Sequence, residues 1–116
     1  GAKTNNIVCA IGPTIQKNSF EIGSDVFKLV KHTYEYKNNH DIILNLNNGK
    51  YLFKLQMFVK EKILREGIDK IGDVHLDTYS NVDFFSYRRK THENAKLKLR
   101  SEKIITGRQI SIIGLI

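Results

Sequence analysis

The sequence has almost none of several residue types that mark particular kinds of protein. It contains no tryptophan, one proline, one methionine and one cysteine. The single cysteine, Cys9, excludes an internal disulfide and a metal site built from a cysteine cluster, and its apolar neighbours indicate a buried structural thiol. No apolar run approaches the roughly 20 residues of a transmembrane helix, and the N-terminus lacks the basic and apolar regions of a signal peptide. We therefore expect no membrane association and a cytoplasmic location.

The rest of the composition is typical of one small globular domain. A chain of 116 residues, 41% hydrophobic and 27% charged, suffices for a single domain over residues 1–116 with a modest core. The net charge of +7 would suit an anionic partner, but the lysines are scattered through a chain that is also rich in asparagine and isoleucine. Nucleic-acid binding is therefore not the expected function.

Apolar periodicity predicts two principal helices. Ser24 is a suitable N-cap for a helix that runs to about Tyr34. A second helix is predicted over Tyr51–Glu66, with Gly67 as a fitting residue just past its C-terminus. Its apolar stripe, which we expect to face a sheet, comprises Leu52, Leu55, Phe58, Val59, Ile63 and Leu64.

Short apolar stretches around these helices predict strands. The expected strands are Asn6–Ile11, Ile42–Leu46 before an Asn48-Gly49 turn, a short one around Val74, Phe84–Arg89, and Arg108–Leu115. Between Arg89 and Lys103 the chain is polar, which predicts an exposed loop or hairpin. The predicted fold class is α+β, a mixed β-sheet with about two principal helices packed on it.

The stretch Phe84–Arg89 joins two apolar aromatics directly to paired guanidinium groups. On a strand, alternation would send Ser86 and Arg88 to one face and Arg89 to the other. Arginine suits the rim of an anion site, because its planar fork donates two parallel hydrogen bonds to a phosphate or carboxylate. One interpretation is therefore an anion-accepting wall. The other is a half-buried strand that ends in solvated arginines.

The residues themselves predict no metal site. The four histidines, at positions 32, 40, 75 and 92, form no closely spaced pair of the kind that metal ligation needs. His75 and Asp77 would share one strand face and could hold a water or an ion, although a local surface pair is the simpler interpretation.

Several short motifs, in this order along the chain, resemble those of one protein family. Ile11-Gly12-Pro13 followed by Ser19-Phe20-Glu21-Ile22-Gly23 is similar to that family's IGP and YEVG segment. Thr78–Asn81, Phe84–Arg89 and Gly107–Ser111 are similar to its ending, CTYSN, FFSYRR and GRQIS. On these motifs the chain resembles the YfiH-like laccase-domain family, whose members are also called polyphenol oxidases and purine nucleoside phosphorylases. The resemblance runs from about Ile7 to the last residue.

The resemblance implies that this chain corresponds to the C-terminal portion of the family's layered fold. The intact family phosphorolyses or deaminates adenosine and inosine at a cleft that holds zinc or copper, and its metal ligands lie before the IGP segment. We therefore expect no metal and no other cofactor in this chain, and no activity from it alone; whether it acts as an enzyme stays open. Asp77 stands where the family often has cysteine, and Lys54 where it often has aspartate.

The resemblance also implies site residues and partners. Arg88 and Arg89 would contact phosphate or ribose, with Ser86 as a hydroxyl donor, Arg108 as a second cationic group and Glu21 as a polar contact at the cleft edge. The implied ligands are a purine nucleoside and phosphate. The expected protein partner is a second copy of the chain, in a homo-oligomer, or a missing upstream half.

Two other functions also fit the sequence. The chain could be a non-catalytic remnant or subunit that completes its fold with a partner. It could also be a small basic nucleic-acid-binding module, in which Phe84, Phe85 and Tyr87 stack on bases while the adjacent arginines hold phosphates.

Overall fold

The computed structural model describes residues 1–97 and 106–110, and these residues form an α+β fold, as predicted. The helices and strands of the described residues are β1 (Val8–Ile11), β2 (Glu21–Gly23), α1 (Ser24–Val30), α2 (Tyr34–Asn38), β3 (Ile43–Asn45), β4 (Lys50–Phe53), α3 (Leu55–Arg65), β5 (Lys70–Asp73) and α4 (Tyr87–Lys96). Single turns of 3-10 helix occur at Thr4–Asn6, Lys17–Ser19 and His40–Ile42.

The strands of the described part of the chain form one parallel and one antiparallel sheet. β1 and β5 pair in parallel, from Val8 opposite Lys70 to Ile11 opposite Asp73. β4 lies between β2 and β3 and is antiparallel to both. The β3–β4 hairpin reverses where the sequence predicts a turn: Gly49 has φ +79°, a left-handed conformation that glycine adopts without steric cost.

The core lies between the antiparallel sheet and the first helices. Its buried residues are Ile22, Val30, Ile42 and Phe53. Aromatic rings extend this cluster, since Phe27 stacks on Tyr51 with ring centroids 4.2 Å apart and Phe20 lies 5.5 Å from Phe53. Such contacts add to the stabilisation that burial of apolar area supplies.

The predicted helix Tyr51–Glu66 begins later than expected. Residues Lys50–Phe53 are β4, which pairs on both of its edges, and α3 starts at Leu55. The prediction was wrong here because a short apolar stretch fits helical and strand periods alike, and only the pairing with β2 and β3 decides between them. Leu55 and Phe58 pack against the core as predicted. Gly67 ends the helix with φ +79°.

The predicted helix from Ser24 to Tyr34 is two helices. α1 ends at Val30, and Thr33 begins a new helix because its Oγ1 accepts a hydrogen bond from the backbone N–H of Tyr36 at 3.3 Å. The cap of α1 is Gly23 rather than Ser24, which is the first helical residue. The prediction missed this break because it used apolar periodicity, which does not reveal a threonine that caps a new helix.

The predicted strand Phe84–Arg89 was also wrong, because the chain turns at Phe84 and enters α4 at Tyr87. Ser86 caps this helix through its Oγ, which accepts from the backbone N–H of Arg89 at 3.2 Å. The residues predicted as an exposed loop after Arg89 are therefore helical as far as Lys96. Residues 106–110 have no regular secondary structure. The rest of the predicted last strand lies outside the described residues.

The predicted strand Asn6–Ile11 exists as the shorter β1, but it is mostly exposed. Only Ile11 is buried, and Val8 is 71% exposed. The strand expected around Val74 is β5, which ends one residue before it. Association through a homo-oligomer or an upstream half stays a prediction. None of the helices described in the ranges 1–97 and 106–110 has the length and hydropathy of a membrane-spanning segment.

A buried carboxylate joins α2 to α3. Glu35 is 2% exposed, and its Oε1 lies 3.5 Å from Lys62 Nζ and 3.5 Å from Arg65 Nη1. A hydrogen bond from its own backbone N–H lowers the pKa of Glu35 against the opposing effect of burial, and the charges of Lys62 and Arg65 lower this pKa further. The ionised form is therefore the one that the fold stabilises.

The lowered pKa of Glu35 predicts an acid-sensitive stability. Because the folded state binds this proton less readily than the unfolded state, Glu35 contributes its full stabilisation above its ordinary pKa of 4.5 and loses it as the pH falls through the lowered value. We expect the free energy of unfolding, measured by urea titration, to fall more steeply with acid in the parent than in Glu35→Gln. Asp69→Asn, which changes an exposed carboxylate, should keep the parental slope. Equal slopes in all three proteins would contradict this role.

Candidate functional site

Arg89 holds together the loop that precedes α4. Its Nη1 donates to the carbonyl oxygens of Thr78, Tyr79 and Asn81 at 2.9 to 3.0 Å, and its Nη2 donates to that of Phe84 at 2.5 Å. An arginine fork that already has four main-chain acceptors is a structural clamp, because these bonds occupy the donors that an anion would need. The structure therefore gives Arg89 a role in shaping the chain.

Arg88 and Glu21, two of the predicted site residues, lie next to each other. Arg88 Nη1 donates to the carbonyl of Glu21 at 3.0 Å, and its guanidinium carbon lies 5.4 Å from the ring centroid of Phe20. The Glu21 carboxylate pairs with Lys50 Nζ at 2.7 Å. Both residues line a recess of about 460 Å³. Because α4 is a helix, the strand argument that put Arg88 on the face of Ser86 does not apply.

The five predicted site residues line three different recesses. Glu21 and Arg88 share one, Ser86 and Arg89 share a second of about 310 Å³, and Arg108 lies beside Phe85 in a third. Arg108 is exposed, and its Nη1 donates to the carbonyls of the two preceding residues at 3.1 and 3.4 Å. The described structure thus forms two pairs from these residues and no single cluster of all five.

A larger cavity lies elsewhere, at the N-terminal end of α3 and the C-terminal end of β5. We call it the α3–β5 cavity; it measures about 510 Å³, within the range of roughly 300–1,000 Å³ that is usual for small-molecule sites. Its apolar lining includes Leu55, Met57 and Ile71. Its polar lining consists of Lys17, Lys54, Lys60, Gln56, Asp73 and His75.

The three lysines make the α3–β5 cavity cationic. Lys54 precedes the first turn of α3, Lys60 lies further along the same helix, and Lys17 comes from the loop that follows β1. Lysine binds phosphate as a compact point charge with three donors. The cavity is therefore suited in charge and size to a ligand that joins an anionic group to a flat apolar one.

A small polar cluster forms one wall of this cavity. Gln56 is only 8% exposed, and its amide donates to Asp73 Oδ1. The same oxygen accepts from the backbone N–H of His75 at 2.8 Å, and the His75 Nδ1 lies 3.5 Å from it. The sequence does contain a signal for this cluster. Gln56 lies on the same helix face as Val59 and Ile63, so it is a polar residue within the apolar stripe of α3.

The expected pair of His75 with Asp77 is not formed, because Asp77 anchors a different loop. Its carboxylate accepts from Ser19 Oγ at 2.5 Å and from the backbone N–H groups of Gln16 and Tyr79 at 3.2 and 2.9 Å. Burial raises the pKa of Asp77, but these hydrogen bonds outweigh burial and hold it below its ordinary value. Asp77 therefore fixes the Gln16–Ser19 segment beside the α3–β5 cavity.

The residues that the structure describes do not form a metal centre. Within residues 1–97 and 106–110, no group of three or more histidine, cysteine, aspartate or glutamate side chains is placed to hold an ion. Asp73 and His75 lie together at the α3–β5 cavity, but two ligands alone do not make the tetrahedral site that zinc requires.

Comparison with known proteins relates the whole chain to one family and to several named relatives. Residues 1–116 match the family of multi-copper polyphenol oxidoreductase laccases. A purine nucleoside phosphorylase of Rickettsia conorii is 31% identical over 93 residues, which cover 79% of this chain and 38% of the relative. A purine nucleoside phosphorylase of Haemophilus influenzae is 30% identical over 116 residues, which cover 97% of this chain and 41% of the relative. The chain thus spans about two fifths of the length of these curated relatives.

The fold is also similar to a solved structure. A crystal structure of a Neisseria meningitidis protein of the DUF152 family superposes with a TM-score of 0.62 at 30% identity. The match covers 69% of this chain and 33% of the other.

Proposed function

This chain belongs to the family of multi-copper polyphenol oxidoreductase laccases, and we propose that it forms part of an enzyme that cleaves purine nucleosides with phosphate. The observation that carries the proposal is the name purine nucleoside phosphorylase, which belongs to relatives from two genera that are each about 30% identical to this chain. The motifs that resemble the YfiH-like laccase-domain family support the same reaction.

The α3–β5 cavity adds support from the geometry. Phosphorolysis brings an inorganic phosphate to the anomeric carbon of a nucleoside, so its site must hold an anion next to a flat purine. Lys17, Lys54 and Lys60 supply positive charge, and Leu55 and Met57 supply apolar surface within the same cavity. We place the phosphate at the lysines. The contact of Arg88 with phosphate or ribose, which the resemblance implies, stays a prediction.

The name of the family refers to copper, and the described residues do not fit a copper site. Cys9 is the one thiol in the sequence, and no cluster of three metal-ligating side chains occurs in the described ranges 1–97 and 106–110. We propose that these 116 residues are inactive alone. They would act together with a polypeptide segment that corresponds to the rest of the length of the relatives.

The other functions considered from the sequence find less support. A nucleic-acid-binding surface would need Arg89 to be available for phosphates, but its guanidinium donates to four main-chain carbonyls. Phe85 and Tyr87 are exposed, yet they lack Arg89 as a cationic partner. A subunit without catalytic activity would bind purine nucleoside or phosphate weakly or not at all, and the assay below separates it from the enzyme.

The lysine cavity predicts a defect that is specific for phosphate. In the protein as its gene encodes it, Lys54→Gln and Lys60→Gln should each raise the KM for phosphate about tenfold, because a charge-assisted hydrogen bond contributes roughly 1.5–3 kcal/mol and 1.4 kcal/mol is tenfold. The KM for inosine should change little. The measurement is hypoxanthine release from inosine at varied phosphate, with ammonia release from adenosine recorded in parallel.

Lys28→Gln is the matched control, since Lys28 is an exposed lysine on α1. It should leave both KM values unchanged. Phosphate-independent ammonia release without any phosphorolysis would replace the proposal with a deaminase. Absence of both activities in the parent would overturn the enzyme proposal. If the KM for phosphate is unchanged in both cavity variants, phosphate does not bind at these lysines.

A further inference from the structure

The backbone of His75 is held in an uncommon conformation at the edge of the α3–β5 cavity. Its φ is +48°, in the left-handed region that non-glycine residues seldom occupy, although histidine and asparagine enter it more readily than most. Such a conformation persists where surrounding contacts enforce it, and it is found often at functional sites. Here the enforcing contact is the bond from the His75 N–H to Asp73 Oδ1 at 2.8 Å.

The same carboxylate orients the imidazole. The His75 Nδ1 lies 3.5 Å from Asp73 Oδ1, and the nearly buried Gln56 amide holds that oxygen from the other side. A carboxylate beside Nδ1 favours the proton on that nitrogen, which leaves Nε2 as the nitrogen that exchanges protons with a ligand. The His75 side chain is 76% exposed at the rim of the cavity, so a ligand bound there can reach it.

The proposed reaction needs such a group. When phosphate displaces the purine, the bond between C1′ and N9 breaks and its electron pair passes to the base. The purine ring delocalises this charge onto N7, and a proton delivered to N7 lets the base leave as a neutral molecule. Proton donation of this kind contributes about 10²- to 10⁴-fold to the rates of enzymes.

We propose that His75 is the catalytic acid that protonates N7 of the leaving purine, an inference that rests on the proposed phosphorolysis. In one step, a phosphate oxygen forms a bond to C1′, the C1′–N9 bond breaks, and the imidazolium transfers its Nε2 proton to N7. The neutral imidazole then takes up a proton from solvent. The ribose 1-phosphate releases to solvent the proton that the attacking hydrogen phosphate carried, so protons and charge balance. Asp73 acts as the positioning residue, because its Oδ1 holds both the backbone N–H and the imidazole of His75 in place.

Four charged groups share the cavity with His75. They are Asp73 of β5 and the lysines Lys17, Lys54 and Lys60, so a phosphate held by the lysines lies in the same space as the imidazole.

The test compares two substrates in the protein as its gene encodes it. Inosine needs a proton at N7, but 7-methylinosine already carries a positive charge there and needs none. His75→Asn, which suits the left-handed backbone, should lower kcat/KM for inosine about 100-fold. It should change kcat/KM for 7-methylinosine less than about threefold. Asp73→Asn should show the same selectivity with a smaller loss.

His32→Gln is the control, because it changes an exposed histidine between α1 and α2. Unimpaired cleavage of 7-methylinosine by His75→Asn shows that the variant is folded and binds phosphate. Equal losses on both substrates, or no loss on inosine, would overturn the role of His75 while leaving the proposed function intact. If the parent cleaves neither substrate, the proposed function itself fails.

Discussion

Arg89→Ala is expected to lower the free energy of unfolding by about 4 kcal/mol, among the largest effects of any single substitution in this chain. The guanidinium donates to four carbonyl oxygens within residues 78–84. Its removal takes a donor from each of these part-buried acceptors, of which Asn81 keeps a second, longer bond from the backbone N–H of Phe84 at 3.4 Å, and each such loss contributes to the total. Urea titration followed by far-ultraviolet circular dichroism measures the change.

Two further variants separate the fork of Arg89 from its charge. Arg89→Lys keeps the positive charge but cannot reach four acceptors with one ammonium, so it should recover less than half of the loss. Arg108→Ala removes an exposed guanidinium that donates only to its own loop and should stay within about 0.5 kcal/mol of the parent. An Arg89→Ala protein as stable as the Arg108→Ala protein would show that the clamp does not stabilise the loop.

Ile42→Ala should destabilise the protein by about 3 to 4 kcal/mol. Ile42 is 0% exposed at the centre of the buried cluster with Ile22, Val30 and Phe53. Truncation removes apolar surface and leaves a cavity, and both contributions fall within the range of about 2–5 kcal/mol for isoleucine to alanine in a core. Thermal and urea unfolding monitored on the same samples would give the value.

A smaller truncation at Ile42 and a truncation at an exposed residue test whether burial causes the loss of stability. Ile42→Val, which deletes one methylene group, should lose only about 1 kcal/mol. Val82→Ala, at a position that is 81% exposed, should lose less than about 0.5 kcal/mol. If Ile42→Ala were no worse than Val82→Ala, residue 42 would not belong to the core.

The motif residues Arg88 and Arg89 were predicted as ligand contacts, and that role stays a prediction. The structure shows Arg88 donating to the carbonyl of Glu21, 67 positions away, and Arg89 donating to four carbonyls that lie 5 to 11 positions before it. The sequence indicates neither set of acceptors, because main-chain oxygens are present at every residue and only the path of the chain determines which of them converge on a guanidinium.

The α3–β5 cavity was missed for a related reason. Lys17, Lys54 and Asp73 belong to three separate elements, and nothing in their spacing indicates that they share one space. His75 was paired in the prediction with Asp77, the next acidic residue on an assumed strand. Asp77 instead accepts a hydrogen bond from Ser19, 58 positions away in the sequence. The carboxylate beside the imidazole is that of Asp73.

The sequence alone determined the α+β class, the hairpin around Gly49, the end of α3 at Gly67 and the family, because these depend on local apolar periodicity, on backbone freedom at glycine and on short motifs. Only the tertiary structure decided that Lys50–Phe53 is a strand, that Tyr87 begins a helix and that Arg89 is a clamp. The physical reason is that a short segment satisfies its backbone hydrogen bonds as helix or strand almost equally well. Partners brought from elsewhere in the chain, such as β2 and β3 for β4, determine which of the two it adopts.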